Sequence, residues 1–244
     1  MAIADRKKRE FLAREELVVK TADSLITVHG YLGLNLDELA EAVEYSKATL
    51  YHHFRSKEDL VLAVVNHHLQ IRRDYFTRAR NFQSISRERI LAFGVGDRIL
   101  SRDYEHSFPL VQLVRSPSIW SKTSETRQNE FFKTSGECFQ LCVDVVQDAL
   151  KAGDLAMESD QAARIVWGLV SLSKGAHLVS EESTFGPENS SQPLHHLFDN
   201  YSLYLDGAGW KPLSSDHDYE SARERIANEL FDTSFSPQMV AEPV

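Results

Sequence analysis

Three helix-cap signals in quick succession most constrain how this chain folds. "NLDE" (35–38) places an N-cap acceptor, Asn35, three residues before Glu38, which is a capping box. Ser46 can cap a helix that begins at the next residue, and Ser56, with Asp59 three residues on, can cap another. The helices between these caps are about two turns long, too short to stand alone in water. They have to be anchored to neighbours. Leu50 and Phe54, at i and i+4, share one side of the helix over 47–53 and serve as its anchors, leaving Lys47, Ala48, Thr49, Tyr51 and His52 on other faces. A longer helix over 7–29, with Val18, Ala22, Leu25 and Ile26 facing inward, ends at Gly30. Another runs over 56–80. A short helix, a tight turn and a second short helix inside a compact helical unit make a helix-turn-helix.

Proline and glycine stay scarce further along, and apolar residues keep a helical spacing, so the expected fold class is all-α. Helices are expected near 87–102, 109–115, 124–152, 160–180 and 193–205. The composition of 180–193 is that of a flexible loop. After Gly209 the chain turns polar and is expected to be a weakly ordered tail with one charged helix near 219–231. The organisation expected is a helix-turn-helix domain over 1–55, a connecting helix over 56–80, a helical domain over 81–209 and a tail over 210–244. No stretch approaches the roughly eighteen apolar residues of a membrane span, and "MAIADRKKRE" has no apolar signal-peptide core behind it. The two cysteines, Cys138 and Cys142, share a helix face in a geometry unsuited to a disulfide and read as buried thiols. A cytoplasmic location is the expectation.

The net charge of -9 argues against general nucleic-acid binding, but it is unevenly spread. Residues 1–80 carry 13 Lys+Arg against 12 Asp+Glu, leaving 14 against 24 in the rest. Such a distribution suits a chain whose N-terminal part alone meets a polyanion. Lys47, Ala48, Thr49, Tyr51 and His52 are types that donate to phosphates or touch base edges, and one helix fits the DNA major groove. Lys57, in the first turn of the next helix, combines an ammonium with free backbone N–H groups and makes an anion site. The run Arg6-Lys7-Lys8-Arg9 reads equally as a solvated helix start or as an arm reaching a flanking groove.

The segment "GYLGLNLDELAEAVEYSKATLYHHFRSKEDLVLAVV" (30–65), and "SKATLYHHFRSKEDL" above all, resembles the DNA-binding domain of the tetracycline-repressor (TetR) family of bacterial transcriptional regulators. Gly30-Tyr31, Asn35 and Leu39-Ala40 fall at matching positions, and the resemblance covers about residues 10–70. It implies that Thr49, Tyr51 and His52 face DNA, with Ala48 and the cap Ser46 beside them. It also implies that Tyr51 and Lys57 hold phosphates, that Lys47 lies at the groove edge, and that Asn35 caps the second helix close to the backbone. Where the family often has glycine in the turn, this chain has Glu44. A positive φ there costs a glutamate about 1 kcal/mol.

The resemblance further implies a C-terminal helical domain for ligand binding and dimerisation. The candidate pocket walls are Phe93, Tyr104, Phe108, Leu113, Trp120, Phe131, Phe139 and Trp167, with His177, Arg98, Arg102 and His106 as polar groups, around a largely apolar small-molecule effector. The segment "QAARIVWGLVSLSKGAHLV" (161–179) is apolar nearly all round and "PLHHLFDNYSLYL" carries one apolar stripe. Trp167, Val170, Leu197, Phe198, Tyr201 and Leu205 are the expected interface of a homodimer, unless this stripe is intramolecular core. A two-fold dimer suits a near-palindromic operator. The expected function is a ligand-responsive transcriptional regulator, most simply a repressor, with double-stranded DNA as partner and no membrane. The alternative is a protein-interaction module that keeps the helix-turn-helix as scaffold. No phosphate loop, nucleophile elbow or His-Glu-x-x-His is present, so no catalytic residue and no cofactor is expected. The adjacent pairs His52-His53, His67-His68 and His195-His196 point apart on a helix, so no metal site is expected from their spacing.

Overall fold

A computed structural model of the chain describes residues 2–232 apart from 182–185 and 187–188, with only the backbone of residues 2–5 and 8. The described residues contain twelve α-helices, one 3-10 turn (Ser159–Gln161) and no strand. The helices are α1 (Ala2–Gly33), α2 (Leu36–Ala42), α3 (Lys47–His53), α4 (Lys57–Asn81), α5 (Ser86–Asp103), α6 (Ser107–Val114), α7 (Pro117–Trp120), α8 (Glu125–Ala152), α9 (Ala162–Glu181), α10 (Gln192–His195), α11 (Leu197–Gly207) and α12 (Tyr219–Phe231). They fall into two compact units.

The first unit comprises residues Met1–Ile71 and Ser101–Ser135. Its core joins Val18, Ala22 and Ile26 of α1, Leu39 of α2, Leu50 and Phe54 of α3, Leu60–Val65 of α4, and Leu110, Val114 and Phe131 from the later segment. Gly30 breaks the helical path of α1 at φ 67°, ψ 172°. A Cβ added there would meet nothing within 4 Å, so the demand for glycine is a backbone demand. The turn between α2 and α3 holds Glu44 at φ 57°. It therefore keeps the left-handed conformation that glycine would adopt at lower cost. The short α7, between α6 and α8, was not anticipated; Pro117 at its start fits a helix N-terminus.

The second unit comprises Arg72–Leu100 and Gly136–Val244. α5, α8, α9 and α11 bury Ile90, Ala92, Phe93, Val95, Val145, Val146, Ile165 and Val166 together with Leu197, Phe198, Tyr201 and Leu205. Gly94 lets α11 close on α5, since a Cβ there would stand 2.8 Å from the Tyr201 ring. Both cysteines are buried and free. Burial pushes the Cys138 thiol up to about 11 and the Cys142 thiol higher still, so neither is a thiolate at neutral pH.

Two expectations need correction. The division at 55/56 and 80/81 is not the one the contacts make, because α4, α5 and α8 each give residues to both units. Nor is the stretch after Gly209 a polar tail as far as Asp232. Trp210 is fully buried, and Tyr219, Ala222, Ile226, Ala227 and Phe231 join the same core. The buried Arg87 guanidinium holds this stretch in place. It donates to the carbonyls of Trp210 and Pro212 (both 2.7 Å), reaches Asp206 at 2.6 Å, and lies over the Tyr219 ring. The helix expected near 219–231 is present as α12. Residues 233–244, and residues 182–185 and 187–188 of the loop expected over 180–193, lie outside the described residues.

Candidate nucleic-acid interface

The helix-turn-helix forms where its caps demand. Asn35 Oδ1 accepts from the Asp37 N–H at 2.9 Å, and Ser46 Oγ accepts from the Thr49 N–H at 3.1 Å. A hydroxyl–hydroxyl hydrogen bond of 2.9 Å between Ser46 and Thr49 adds to the second cap. Leu50 and Phe54, each 3% exposed, are the anchors of α3. Lys47, Ala48, Tyr51 and His52 are exposed and fall at i, i+1, i+4 and i+5, one face of the helix, with Thr49 half-buried beside them. Tyr51 keeps half its surface in solvent.

The two lysines are less free than their sequence suggests. Lys47 Nζ donates to Asp37 Oδ2 at 3.0 Å, and that hydrogen bond holds its ammonium above the usual value. Lys57 Nζ donates to the Leu32 carbonyl at 3.4 Å and sits over the Tyr31 ring. It thereby fixes the N-terminus of α4 against the end of α1. Asp37, Glu38, Glu41 and Glu44 are exposed along α2 and the turn. Of these acids, Asp37 reaches the exposed face of α3 through Lys47.

Several residues that hold this face in place gave no local signal in the sequence. His53 turns inward from α3 and stacks on Phe11 of α1, centroids 4.1 Å apart. Burial pushes its imidazole below the usual value while nearby Glu15 pulls the other way. Arg127 of α8 reaches the His53 carbonyl at 3.3 Å and Glu15 at 2.9 Å, and covers the Phe54 ring. The Ser124 N–H donates to Asp59 at 2.7 Å, the Ser56 hydroxyl donates to the Lys122 carbonyl at 3.0 Å, and Lys122 pairs with Glu58 at 2.8 Å. The junction of α3 and α4 is thus tied to residues 121–127, more than sixty positions away.

The residues expected to wall a ligand pocket are divided between the two units. Tyr104, Phe108, Leu113, Trp120 and Phe131 belong to the first unit, where Leu113, Trp120 and Phe131 pack on its core. In the second unit Phe93 lines a cavity of about 60 Å³, Phe139 packs against Trp167, and His177 is buried with Nδ1 2.9 Å from the Ser173 carbonyl. That volume holds roughly four to six waters. Its walls are largely apolar (Phe76, Ile90, Leu169, Val170), with Tyr201, Lys174 and the Arg72–Asp97 pair as the polar part. The expected dimer stripe is also displaced. Leu197, Phe198, Tyr201 and Leu205 face this chain's own core, and Val170 and Tyr201 line the cavity. An apolar periodicity marks a buried face without saying which surface buries it. Trp167 (58% exposed), Leu178 and Leu203 (71% exposed) are the large apolar side chains that α9 and α11 present to solvent.

Comparison with known proteins agrees with this geometry. Residues 18–64 match the model of the bacterial regulatory proteins of the tetR family. The chain is 33% identical over 88 residues to the HTH-type transcriptional repressor NemR of Escherichia coli K12, a match covering 36% of this chain and 44% of that repressor. The aligned region thus spans under half the length of the curated relatives. Among solved structures, the TetR family transcriptional regulator PfmR of Thermus thermophilus is similar over 78% of this chain and 97% of its own, with TM-score 0.57 and 17% identity. A Rhodococcus protein of unknown function is similar over 80% and 95%, with TM-score 0.63 and 18% identity. Among the described residues no helix is long and apolar enough to cross a membrane. The matched family is one of bacterial regulatory proteins, and the likeness to it covers residues 18–64, the segment that holds the helix-turn-helix of this chain.

Proposed function

We propose that this chain is a transcriptional regulator, a repressor in the simplest case, that binds a near-palindromic operator as a homodimer and is released by a small, largely apolar effector. The observation that carries the reading is α3. It is a seven-residue helix, capped by Ser46 and anchored by Leu50 and Phe54, that presents Lys47, Ala48, Tyr51 and His52 together to solvent. A helix that short with so much of its surface unburied contributes little to stability, and its residue types suit a DNA groove. Tyr51, and Lys57 with the α4 N-terminus, are assigned to phosphates; Lys47 and His52 to the groove.

Dimerisation is assigned to the outer face of α9 and α11, where Trp167, Leu178 and Leu203 are exposed. Two copies related by a two-fold axis would set their recognition helices about 34–36 Å apart, one DNA turn. The effector is assigned to the cavity beside Arg72 and Phe93. Arg72 lies on α4, the helix that carries Lys57 at its start. An effector that prefers one placement of α4 shifts the population toward it and away from the DNA-bound form.

The test is selection of DNA fragments by the full chain from a genomic library of its source bacterium. The reading requires enrichment of an inverted repeat whose half-sites lie about one helical turn apart. Absence of any enriched sequence would contradict it. The exposed carboxylates of Asp37, Glu38, Glu41 and Glu44 favour one rival, a protein-interaction module. That rival requires binding to a protein partner and no enriched DNA sequence.

A further inference from the structure

Three side chains from three separate elements of the first unit meet at one point. Asp23 comes from α1, His68 from α4, and His106 from the turn before α6. Asp23 Oδ1 accepts from His106 Nε2 at 2.6 Å and from His68 Nε2 at 3.0 Å. The three candidate ligand atoms all lie within 4.8 Å of one another. The side chains are 14%, 5% and 18% exposed, so the cluster is sheltered while Asp23 and His106 keep an opening to solvent. Neighbouring histidines in sequence point apart; here the pairing is between His68 and a histidine 38 positions later.

We propose that Asp23, His68 and His106 form a binding site for one divalent first-row transition cation, zinc in the first instance, which clamps α1 to α4 and to the turn before α6. Two imidazoles and a carboxylate are the donor set that such cations take with three protein ligands, leaving a fourth position for water. Ligand distances of about 2.0–2.2 Å put the ligand atoms of a tetrahedral site about 3.4 Å apart. Reaching that spacing lengthens the Asp23–His106 contact from 2.6 Å and the Asp23–His68 contact from 3.0 Å, and Asp23 and His106 are partly exposed.

The surroundings suit a bound cation. The Thr27 hydroxyl donates to the Asp23 carbonyl at 2.9 Å and lies 3.3 Å from His106 Nδ1. With a cation on Nε2, Nδ1 carries the proton and donates to Thr27, and both groups are satisfied. That is the outer hydrogen bond that orients metal-bound histidines. Tyr104, its ring centroid 4.9 Å from that of His68, fixes the second imidazole.

The test uses the untagged full chain, stripped with a chelator and titrated near neutral pH with Zn2+ by calorimetry, with Co2+ by visible absorption, and with Fe2+ under anaerobic conditions. The expected result is one equivalent per chain at micromolar or tighter affinity, ligand-field bands with Co2+, and a rise in melting temperature on loading. His106→Gln and Asp23→Asn should each weaken binding by at least roughly tenfold to a hundredfold. The exposed pair His195→Gln/His196→Gln should change nothing. His68→Gln removes a buried ring, so His106→Gln, checked for native circular dichroism, carries the decision if the former fails to fold. Absence of a one-to-one isotherm with all three cations would overturn the proposal and leave a hydrogen-bonded latch. So would equal affinity in a folded His106→Gln variant.

Discussion

α3 and α12 are both amphipathic helices packed on a core, yet they spend their surfaces differently. α12 has thirteen residues and buries Tyr219, Ala222, Ile226, Ala227 and Phe231. α3 has seven and buries Leu50, with Phe54 just beyond its end. Around α12 the buried polar groups are fully engaged: Arg87 with Asp206 and two carbonyls, Glu88 with His217 at 2.8 Å and with Arg225. On α3 the inward polar side chain is His53, stacked on Phe11, and Lys47, Tyr51 and His52 stay exposed. One region invests its residues in cohesion, and the other holds a small rigid face in solvent. The two should therefore respond to mutation in opposite ways.

The largest effect is expected at Arg87. Arg87→Met leaves the Trp210 carbonyl without its donor, the Pro212 carbonyl with the Tyr219 hydroxyl and the Asp206 carboxylate with the Ser214 N–H but without its cation. Breaking a buried pair from one side costs about 3–5 kcal/mol, read as a shift in the denaturant midpoint. Next comes Leu50→Ala, where lost packing under α3 should cost about 2–4 kcal/mol and weaken DNA binding with it. Tyr51→Ala sharpens the contrast. Its stability should stay within about 0.5 kcal/mol of the parent, while affinity for the selected DNA falls by about 1–3 kcal/mol. Equal losses in stability and affinity would place Tyr51 with the cohesive residues instead.

Glu44→Gly is expected to work the other way. With φ at 57°, glycine relieves backbone strain of about 1 kcal/mol and removes an anion next to α3, so the variant should be slightly more stable and bind DNA more tightly. The smallest effect is a pH dependence at His53. Burial lowers its value in the folded chain below the unfolded value of about 6.5. The unfolded chain therefore takes up the proton first as pH falls. The contribution is fully present above about 6.5 and is lost as pH drops through it toward the folded value. Urea midpoints on either side of that pH should separate for the parent chain and converge for His53→Phe, which keeps the stack on Phe11.

What could be read from sequence follows from the range of the interactions. The caps at Asn35 and Ser46 act within three residues, so α2 and α3 were legible to within a residue, and so was the face that α3 exposes. The burial of Trp210 was not, because it depends on Arg87 and Ser86 more than 120 positions away. A stretch of mixed Ser, Asp and Pro reads as polar when the guanidinium that satisfies its carbonyls is out of sight. The stripe on α11 was legible as a stripe but not as this chain's own core. The meeting of Asp23, His68 and His106 and the grip of Arg127 on α3 escaped for the same reason.

The measurement that tests the account most directly is a fluorescence-anisotropy titration of the full chain against DNA from upstream of its own gene, at two salt concentrations, beside a Tyr51→Ala/Lys57→Ala variant. The account predicts tight binding that falls with salt at a slope of about −0.9 per phosphate neutralised, and loss of both affinity and slope in a variant that still folds. Weak binding, equal in both proteins and indifferent to salt, would contradict the assignment of α3 to DNA.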